Sequence, residues 1–201
     1  MKEPKIMWSV LEHVEYKSKL GKSLKNTLRK FNKNELFEEL MDMISYYTTV
    51  AGQIPHDKRI KSIHSCELKY VKYFPNRQAE KVFNDILGLR ITLETYEVFD
   101  NIAIPPSATV ADMRHGKSND DGYRGIHVYV QKSHFHYPVE IQFVTERDRF
   151  LNQLLHDEVY KYVEDAAVGK RLRSLYDKGQ ITSVEEFRKE LNDVLSSRKE
   201  I

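Results

Sequence analysis

Residues 86–93 read ILGLRITL, and this stretch decides the fold class. Its β-branched and apolar residues, bounded by polar neighbours, are typical of a strand in a protein core. Further strands are predicted at 109–113, 125–132 and 137–145, and in the last two apolar residues alternate with polar ones. Such alternation gives a strand one apolar face and one face that can carry chemistry. We therefore predict an α+β fold with a mixed, at least partly antiparallel sheet.

The segments on either side of this sheet have the spacing of helices. Apolar residues between Leu36 and Ile44 recur at helical intervals, and Asn34 can cap that helix before Glu35. The sheet is therefore expected to be flanked by helices. We predict helices over the first fifty residues, at 77–84, at 95–102 and from Arg147 onward.

Composition excludes several classes of protein. Of the 201 residues, 40% are hydrophobic and 31% are charged, which is enough apolar material for a core under a well-solvated surface. No apolar stretch has the length needed to span a bilayer, and the N-terminal residues lack the apolar region of a signal peptide. The single cysteine, Cys66, cannot form an internal disulfide, and we expect it to be buried. A cytoplasmic protein is expected.

The distribution of charge is more informative than the net charge of +2. Between Lys17 and Lys33 the chain has seven basic residues and no acidic one. One interpretation is a solvated helix face, and the other is a surface that binds phosphates. Leucines at positions 20, 24 and 28 give the same segment an apolar stripe, which we interpret as packing.

Candidate residues for phosphate chemistry lie near two predicted strands. Asp85 precedes the strand at 86–93, and Glu140 lies on the polar face of another. Two carboxylates at one sheet edge would suit Mg²⁺, which keeps water and substrate phosphates among its ligands. Arg59, Lys61 and Ser65 could grip a triphosphate, since an Arg-x-Lys strand points both cations to one side. Taken alone, each of these groups more often consists of ordinary surface residues without a catalytic role.

The loop that begins at Gly122 is a further candidate. Asp120, Asp121 and Gly122 are turn residues, and they present Tyr123 at the rim of the loop. An aromatic ring in that position can stack on a nucleobase, or it can cover the edge of the core. His127, taken alone, is more often structural than catalytic.

These motifs together resemble the synthetase domain of the RelA/SpoT family. In chain order they are RIKS at 59–62, DILGLRI at 85–91, GYRGIH at 122–127 and EIQFVT at 140–145, closed by a helix with His156 and Tyr160-Lys161. Each motif is weak alone, but four in the right order at compatible spacing are a strong signal. The resemblance covers residues 35–163, and it leaves a basic helical segment at 1–34 and C-terminal helices at 164–201.

The resemblance implies an ATP pyrophosphokinase that moves the β,γ-pyrophosphate of ATP to a ribose 3′-hydroxyl. It implies a magnesium ion at Asp85 and Glu140, with Glu140 sharing the metal or acting as the base on the acceptor hydroxyl. A carboxylate base is chemically reasonable, because a ribose hydroxyl is a poor nucleophile at neutral pH. The remaining roles are ATP binding by Arg59, Lys61 and Ser65, stacking of Tyr123 on the acceptor base, and positioning of the acceptor by His127 and Gln142.

The departures from the family pattern concern the acceptor. Alarmone synthetases usually carry Lys-x-Asn before the Gly-Tyr pair, where this chain has residues 119–121, Asn-Asp-Asp. They usually carry an arginine where this chain has Val144 and a serine where it has Gly125. Because cations expected near the phosphates of GDP are lost, a free diphosphate should bind less well. The chain therefore resembles most the toxin-type small members that pyrophosphorylate the 3′-CCA end of tRNA.

Three hypotheses follow. In the first, the chain is a tRNA-modifying toxin that inhibits translation, with Lys25, Arg29 and Lys30 holding the tRNA backbone and a neutralising antitoxin as partner. In the second, it is a small alarmone synthetase that makes (p)ppGpp from GDP or GTP, and a homo-oligomer formed through the C-terminal helices is compatible with this hypothesis. In the third, it is a catalytically inactive nucleic-acid-binding module, which the presence of Asp85 and Glu140 disfavours.

Overall fold

The structure is a computed structural model that describes Trp8, Leu11 and residues 13–197. The chain folds into two compact units, each assembled from three separate segments. The first unit consists of Met1–Ile91, Asn101–Val110 and His127–Gln142, and the second of Thr92–Asp100, Ala111–Ile126 and Phe143–Ile201. Within the described residues, no helix combines the length and the hydropathy that crossing a membrane requires.

Five strands form one sheet in the order β1-β2-β5-β4-β3. β1 pairs antiparallel with β2, and in that register Arg59 lies opposite Gly88. The predicted α+β class is confirmed, and each strand predicted at 86–93, 109–113, 125–132 and 137–145 is found within a few residues of its expected bounds. The strands are β1, Asp57–Ile60; β2, Leu87–Leu93; β3, Ala108–Asp112; β4, Ile126–Val130; and β5, Val139–Thr145.

The longer helices begin at capping side chains. Asn32, and not the predicted Asn34, caps α1, because its side chain accepts hydrogen bonds from the backbone N–H groups of Asn34 and Glu35. Ser62 caps α2 and Thr145 caps α5 in the same manner. The helices are α1, Lys33–Val50; α2, Ile63–Tyr73; α3, Ala79–Val82; α4, Glu97–Asp100; α5, Glu146–Glu158; α6, Ala166–Asp177; and α7, Val184–Ser196, with 3₁₀ turns at Leu28–Lys30 and Ala51–Gln53.

The prediction that the basic segment at 17–33 is helical is wrong. Its backbone N–H groups bond to distant segments instead, as in Leu24 to the carbonyl of His134 and Leu28 to the carbonyl of Arg77. The leucine stripe is nevertheless buried at Leu24 and Leu28, so its interpretation as packing is confirmed there. Leucines four residues apart fit a helix. Here an irregular backbone buries the same side chains, because its N–H groups find hydrogen-bond partners in distant segments of the chain. The bounds 1–34, 35–163 and 164–201 stay a prediction.

Each unit has its own apolar core. In the first unit, α1 packs against α2 and β1, and Cys66 of α2 is buried and unpaired as predicted. Burial raises the pKa of the Cys66 thiol to about 11, so that it remains protonated near neutral pH. In the second unit, α5, α6 and α7 share a core that contains Leu151, Leu155, Leu172 and Phe187.

Candidate active site

Asp85 is held by two lysines just before β2. The Nζ atoms of Lys61 and Lys69 each lie 2.7 Å from one of its carboxylate oxygens. The side chain of Asp85 is only 16% exposed. Burial favours the neutral acid, but the two ammonium groups outweigh it and hold the pKa of Asp85 below its ordinary value. The carboxylate is therefore ionised at neutral pH.

The start of α2 brings the cations to this carboxylate. Lys61 follows β1, and Ser62 then caps the helix. Ser65 and Lys69 lie four residues apart in α2, a spacing that places them on one helix face. The Ser65 hydroxyl lies 3.0 Å from the Ser62 hydroxyl. Lys69 was not predicted as a site residue, although its spacing from Ser65 on a predicted helix was a usable signal.

Glu140 is the second buried carboxylate of the candidate site, with 7% of the residue exposed. Its Oε1 atom lies 3.0 Å from Nδ1 of His127 and accepts a 3.1 Å hydrogen bond from the Tyr129 hydroxyl. Its Oε2 atom accepts a 2.8 Å hydrogen bond from the Gln142 side chain. These residues share a face because His127 and Tyr129 alternate along β4, as Glu140 and Gln142 do along the neighbouring β5.

Burial also opposes the ionisation of Glu140. The hydrogen bond and the electrostatic interaction with His127 nevertheless hold the pKa of Glu140 below its ordinary value. The charge of Asp85 acts in the opposite direction and raises that pKa. Asp85 and Glu140 are 55 residues apart in the chain, and both belong to the first unit, Asp85 just before β2 and Glu140 on the neighbouring strand β5.

Two residues of β2 complete this side of the sheet. Nη2 of Arg90 lies 3.4 Å from the Gln142 side-chain oxygen. A methyl group on Gly88 would lie 3.5 Å from Oε2 of Glu140, so the glycine leaves space beside that carboxylate. Arg59, opposite Gly88, is exposed, and its side chain forms no ion pair with the described part of the chain. Tyr129 and Arg90 were not predicted as site residues.

Tyr123 lies in the second unit, in a loop between β3 and β4. Gly122 has φ +87°, which only glycine adopts readily, and its N–H bonds to the Asp120 carboxylate. The Lys117 ammonium lies 5.1 Å from the centre of the Tyr123 ring. A Cβ atom on Gly125 would lie 2.8 Å from the Tyr123 hydroxyl. A serine at 125 would therefore force the Tyr123 ring to move, which explains why this conformation has a glycine at that position.

The predicted tRNA-binding residues lie on the surface of the first unit. Lys25, Arg29 and Lys30 are exposed, and no carboxylate among the described residues pairs with them. Lys19 of the same segment differs, because it forms a 3.2 Å ion pair with Asp42. The irregular conformation of the segment therefore leaves these three positive charges unneutralised.

Carboxylates that can bind Mg²⁺ and lysines that can contact phosphates are recurring parts of enzymes that transfer phosphate groups from a nucleotide. The family described as "Region found in RelA / SpoT proteins" matches residues 58–165, more than half of the chain. The chain belongs to the RelA/SpoT family. This confirms the predicted enzyme class, an ATP pyrophosphokinase of the RelA/SpoT type, whereas the toxin-type subfamily and the roles of individual residues stay predictions.

Several solved structures are similar to this chain. Small alarmone synthetase 1 from Bacillus subtilis, bound to its product pppGpp, is 22% identical over 83% of this chain and 90% of that one, with a TM-score of 0.44. Small alarmone synthetase 2 from Bacillus subtilis is 19% identical over 84% and 98%, with a TM-score of 0.43. A GTP pyrophosphokinase family protein from Streptococcus pneumoniae is 20% identical over 93% and 96%, with a TM-score of 0.43. No curated protein matches the sequence.

Proposed function

We propose that the chain transfers the β,γ-pyrophosphate of ATP to the ribose 3′-hydroxyl at the 3′-CCA end of tRNA and thereby inhibits translation. The observation that carries the choice of tRNA is the exposed, unneutralised charge of Lys25, Arg29 and Lys30. A polyanion can contact several such cations at once, whereas a free nucleotide has few phosphates to share among them.

The ATP side of the site consists of Arg59, Lys61, Ser65 and Lys69. Lys61 and Lys69 have flexible stems and already converge within 2.7 Å of one acid, so both can reach phosphate oxygens near Asp85. Arg59 is exposed and has no carboxylate partner among the described residues, which leaves its guanidinium available for bidentate phosphate binding.

Asp85 and Glu140 fit a magnesium ion. Mg²⁺ in phosphate-transferring enzymes uses one or two carboxylates and completes its shell with water and substrate phosphates. Among the described residues, no group of three or more histidine, cysteine or acidic side chains could hold a metal ion, and the ligands proposed here are the two carboxylates alone. When bound, the ion supplies positive charge that neutralises the transferred phosphate groups.

Glu140 is the proposed base. Its carboxylate takes the proton of the 3′-hydroxyl while the ribose oxygen bonds to the β-phosphorus of ATP. The bond from that phosphorus to the oxygen bridging the α- and β-phosphates breaks, and AMP leaves with that oxygen. His127, Tyr129 and Gln142 hold the carboxylate in place and keep it ionised before the transfer.

The acceptor side is assigned to Tyr123, His127 and Gln142. Tyr123 stacks on the terminal adenine, which needs no phosphate-binding cation beside it. Val144, only 2% exposed, carries no cation, which is compatible with an acceptor group that lacks a free diphosphate. A toxin of this kind requires a neutralising antitoxin, which we include in the proposal.

The test supplies γ-labelled ATP and Mg²⁺ with deacylated tRNA, GDP or GTP as acceptor, over a salt series. Label is expected on tRNA. Reversing the charges of Lys25, Arg29 and Lys30 to glutamate should strongly lower the rate on tRNA and reduce its salt dependence by about 0.7–0.9 of a log–log slope unit per lost phosphate contact. A matched control reverses Arg171, Lys178 and Lys189, which are also exposed but lie outside the basic segment.

The second candidate function is synthesis of (p)ppGpp from GDP or GTP. Lys117 supports it, because its ammonium group lies 5.1 Å from the Tyr123 ring and could contact an acceptor phosphate there. Its 2.6 Å ion pair with Asp121 weakens that argument. Label on GDP or GTP, with none on tRNA at any salt concentration, would replace the first function with this one.

A further inference from the structure

The loop that carries Tyr123 touches helix α6 through closely packed backbone atoms. A methyl group on Gly169 of α6 would overlap the carbonyl oxygen of Asp121 and lie 2.9 Å from its carbonyl carbon. In return, a methyl group on Gly122 would lie 2.7 Å from the carbonyl carbon of Gly169. The two backbones can approach this closely only because both positions are glycines.

Arg173, one turn further along α6, fixes the same loop by a hydrogen bond. Its Nε–H donates to the carbonyl oxygen of Gly122 at 2.9 Å, and its Nη1 atom lies 2.6 Å from an Asp148 oxygen. The residue is 3% exposed. Asp148 also accepts a 2.8 Å hydrogen bond from the Tyr96 hydroxyl, which holds the ion pair in one geometry. The guanidinium is thus a buried, oriented donor aimed at the loop.

The backbone on both sides of Tyr123 is held in this way. The Tyr160 hydroxyl donates to the carbonyl oxygen of Asp121 at 3.1 Å. The Asn152 side chain donates to the carbonyl oxygen of Arg124 at 2.6 Å and accepts from the Arg124 N–H at 3.2 Å. The residues before and after Tyr123 are thus tied to α5, to α6 and to the turn that follows α5, and these contacts fix the backbone position of Tyr123.

We propose that α6 is a positioning element for the acceptor base, with Gly169 and Arg173 as positioning residues that act through Tyr123. This inference rests on the proposed function of Tyr123 as the stacking residue. Both residues lie beyond the segment that matches the RelA/SpoT family, which ends at residue 165. The selection of the acceptor therefore depends on a helix outside the matched region.

A positioning role and a purely structural role predict different kinetics. If α6 only stabilises the second unit, substitutions at the contact lower the melting temperature and, through loss of folded enzyme, lower the apparent kcat/KM for ATP and for the acceptor equally, with both KM values unchanged. If α6 positions Tyr123, the folded enzyme keeps its KM for ATP and loses kcat/KM for the acceptor. A misplacement of about 1 Å at a reacting centre can cost about 100-fold in rate.

The experiment compares two pairs of variants of the full chain. Gly169→Ala adds a methyl group against the Asp121 carbonyl, and Gly52→Ala adds one where nothing lies within 4 Å. Arg173→Lys keeps a positive charge for Asp148 but lacks the Nε–H that reaches the loop, and Arg171→Lys makes the same change at an exposed position of α6. Kinetics on the acceptor that the wild type labels are combined with hydrogen exchange of the amides at 120–125.

We expect Gly169→Ala and Arg173→Lys to lower kcat/KM for the acceptor by roughly 10- to 100-fold, with KM for ATP unchanged. We also expect faster exchange at 120–125, with α7 still protected and both controls resembling the wild type. An equal loss on both substrates, or kinetics and exchange like those of the controls, would overturn the proposal. Failure of the proposed function is distinguishable, because the wild type would then label no tRNA, whatever the variants do.

Discussion

Asp85→Asn tests the charge balance of the site most directly. The substitution keeps the shape of the side chain but removes the negative charge that Lys61 and Lys69 share. The side chains of these lysines are 16% and 26% exposed, so solvent compensates only part of the loss. The two ammonium groups then repel each other, and the site loses the carboxylate proposed to bind Mg²⁺.

Breaking a buried ion pair by removing one partner typically costs about 3–5 kcal/mol. Because both lysines are partly exposed and flexible, we expect the lower free-energy change of about 2 kcal/mol. For a chain of this length that corresponds to a fall of about 4–8 °C in melting temperature. We expect turnover to fall by at least about 100-fold, as when one electrostatic contact to a transferring group is removed.

The stability difference should depend on pH in one direction. The pKa of Asp85 in the folded protein lies below its ordinary value of 3.8, so its stabilising contribution is fully present above that value. The contribution is lost as the pH falls through the lower pKa of the folded state, because the carboxylate is then neutral in both states. Wild type and variant should differ near neutral pH and converge in strong acid.

Urea unfolding near neutral pH and below about pH 3 measures this difference, and labelled ATP measures turnover. Asp193→Asn, which changes an exposed acid of α7, is the matched control. The reasoning is refuted if Asp85→Asn leaves stability and turnover at wild-type values near neutral pH. It is also refuted if the stability difference persists unchanged in strong acid.

Three further predictions concern single residues. Lys69→Met should raise KM for ATP by about tenfold or more, while Asp85 keeps Lys61 as its partner. Unchanged ATP kinetics would exclude Lys69 from the ATP site. Glu140→Gln should lower kcat, measured by single-turnover transfer, by about 100- to 10,000-fold with ATP binding retained. A near-normal kcat would exclude Glu140 as the base. Tyr123→Ala should weaken binding of the acceptor by about 1–3 kcal/mol and leave the affinity for ATP unchanged. A selective loss of ATP affinity in saturation kinetics would reverse the assignment of the two substrates.

Local patterns predicted the sheet and its polar face well. The strands predicted at 86–93 and 137–145 are confirmed, because alternating apolar residues and β-branched side chains indicate burial on a pleated strand. The same reasoning failed at 17–33, where leucines at helical spacing are buried by a chain whose backbone bonds to other segments. Spacing reports which side chains are buried, but it does not report where the backbone hydrogen bonds go.

The acid pair was predicted for a different reason. Asp85 lies just before one predicted strand and Glu140 within another, and the resemblance to the family implies that the two share a metal site, which stays a prediction. Lys69 could have been found from its spacing to Ser65, and Arg90 from its place on a polar face of β2. Arg173 had no comparable signal, since a lone arginine in an amphipathic helix gives no indication that its Nε–H reaches Gly122.

One of the departures from the alarmone pattern, Gly125, is linked to the position of the Tyr123 side chain. Gly125 allows the Tyr123 ring to lie over it, with the hydroxyl only 2.8 Å from the position of a Cβ atom, so glycine and ring orientation belong together. Val144 is buried and carries no cation. Restoring the serine of an alarmone synthetase at 125 would move the Tyr123 ring and would not by itself supply a cation for a diphosphate. The change of acceptor that we propose thus involves the conformation of the loop as well as the loss of cations.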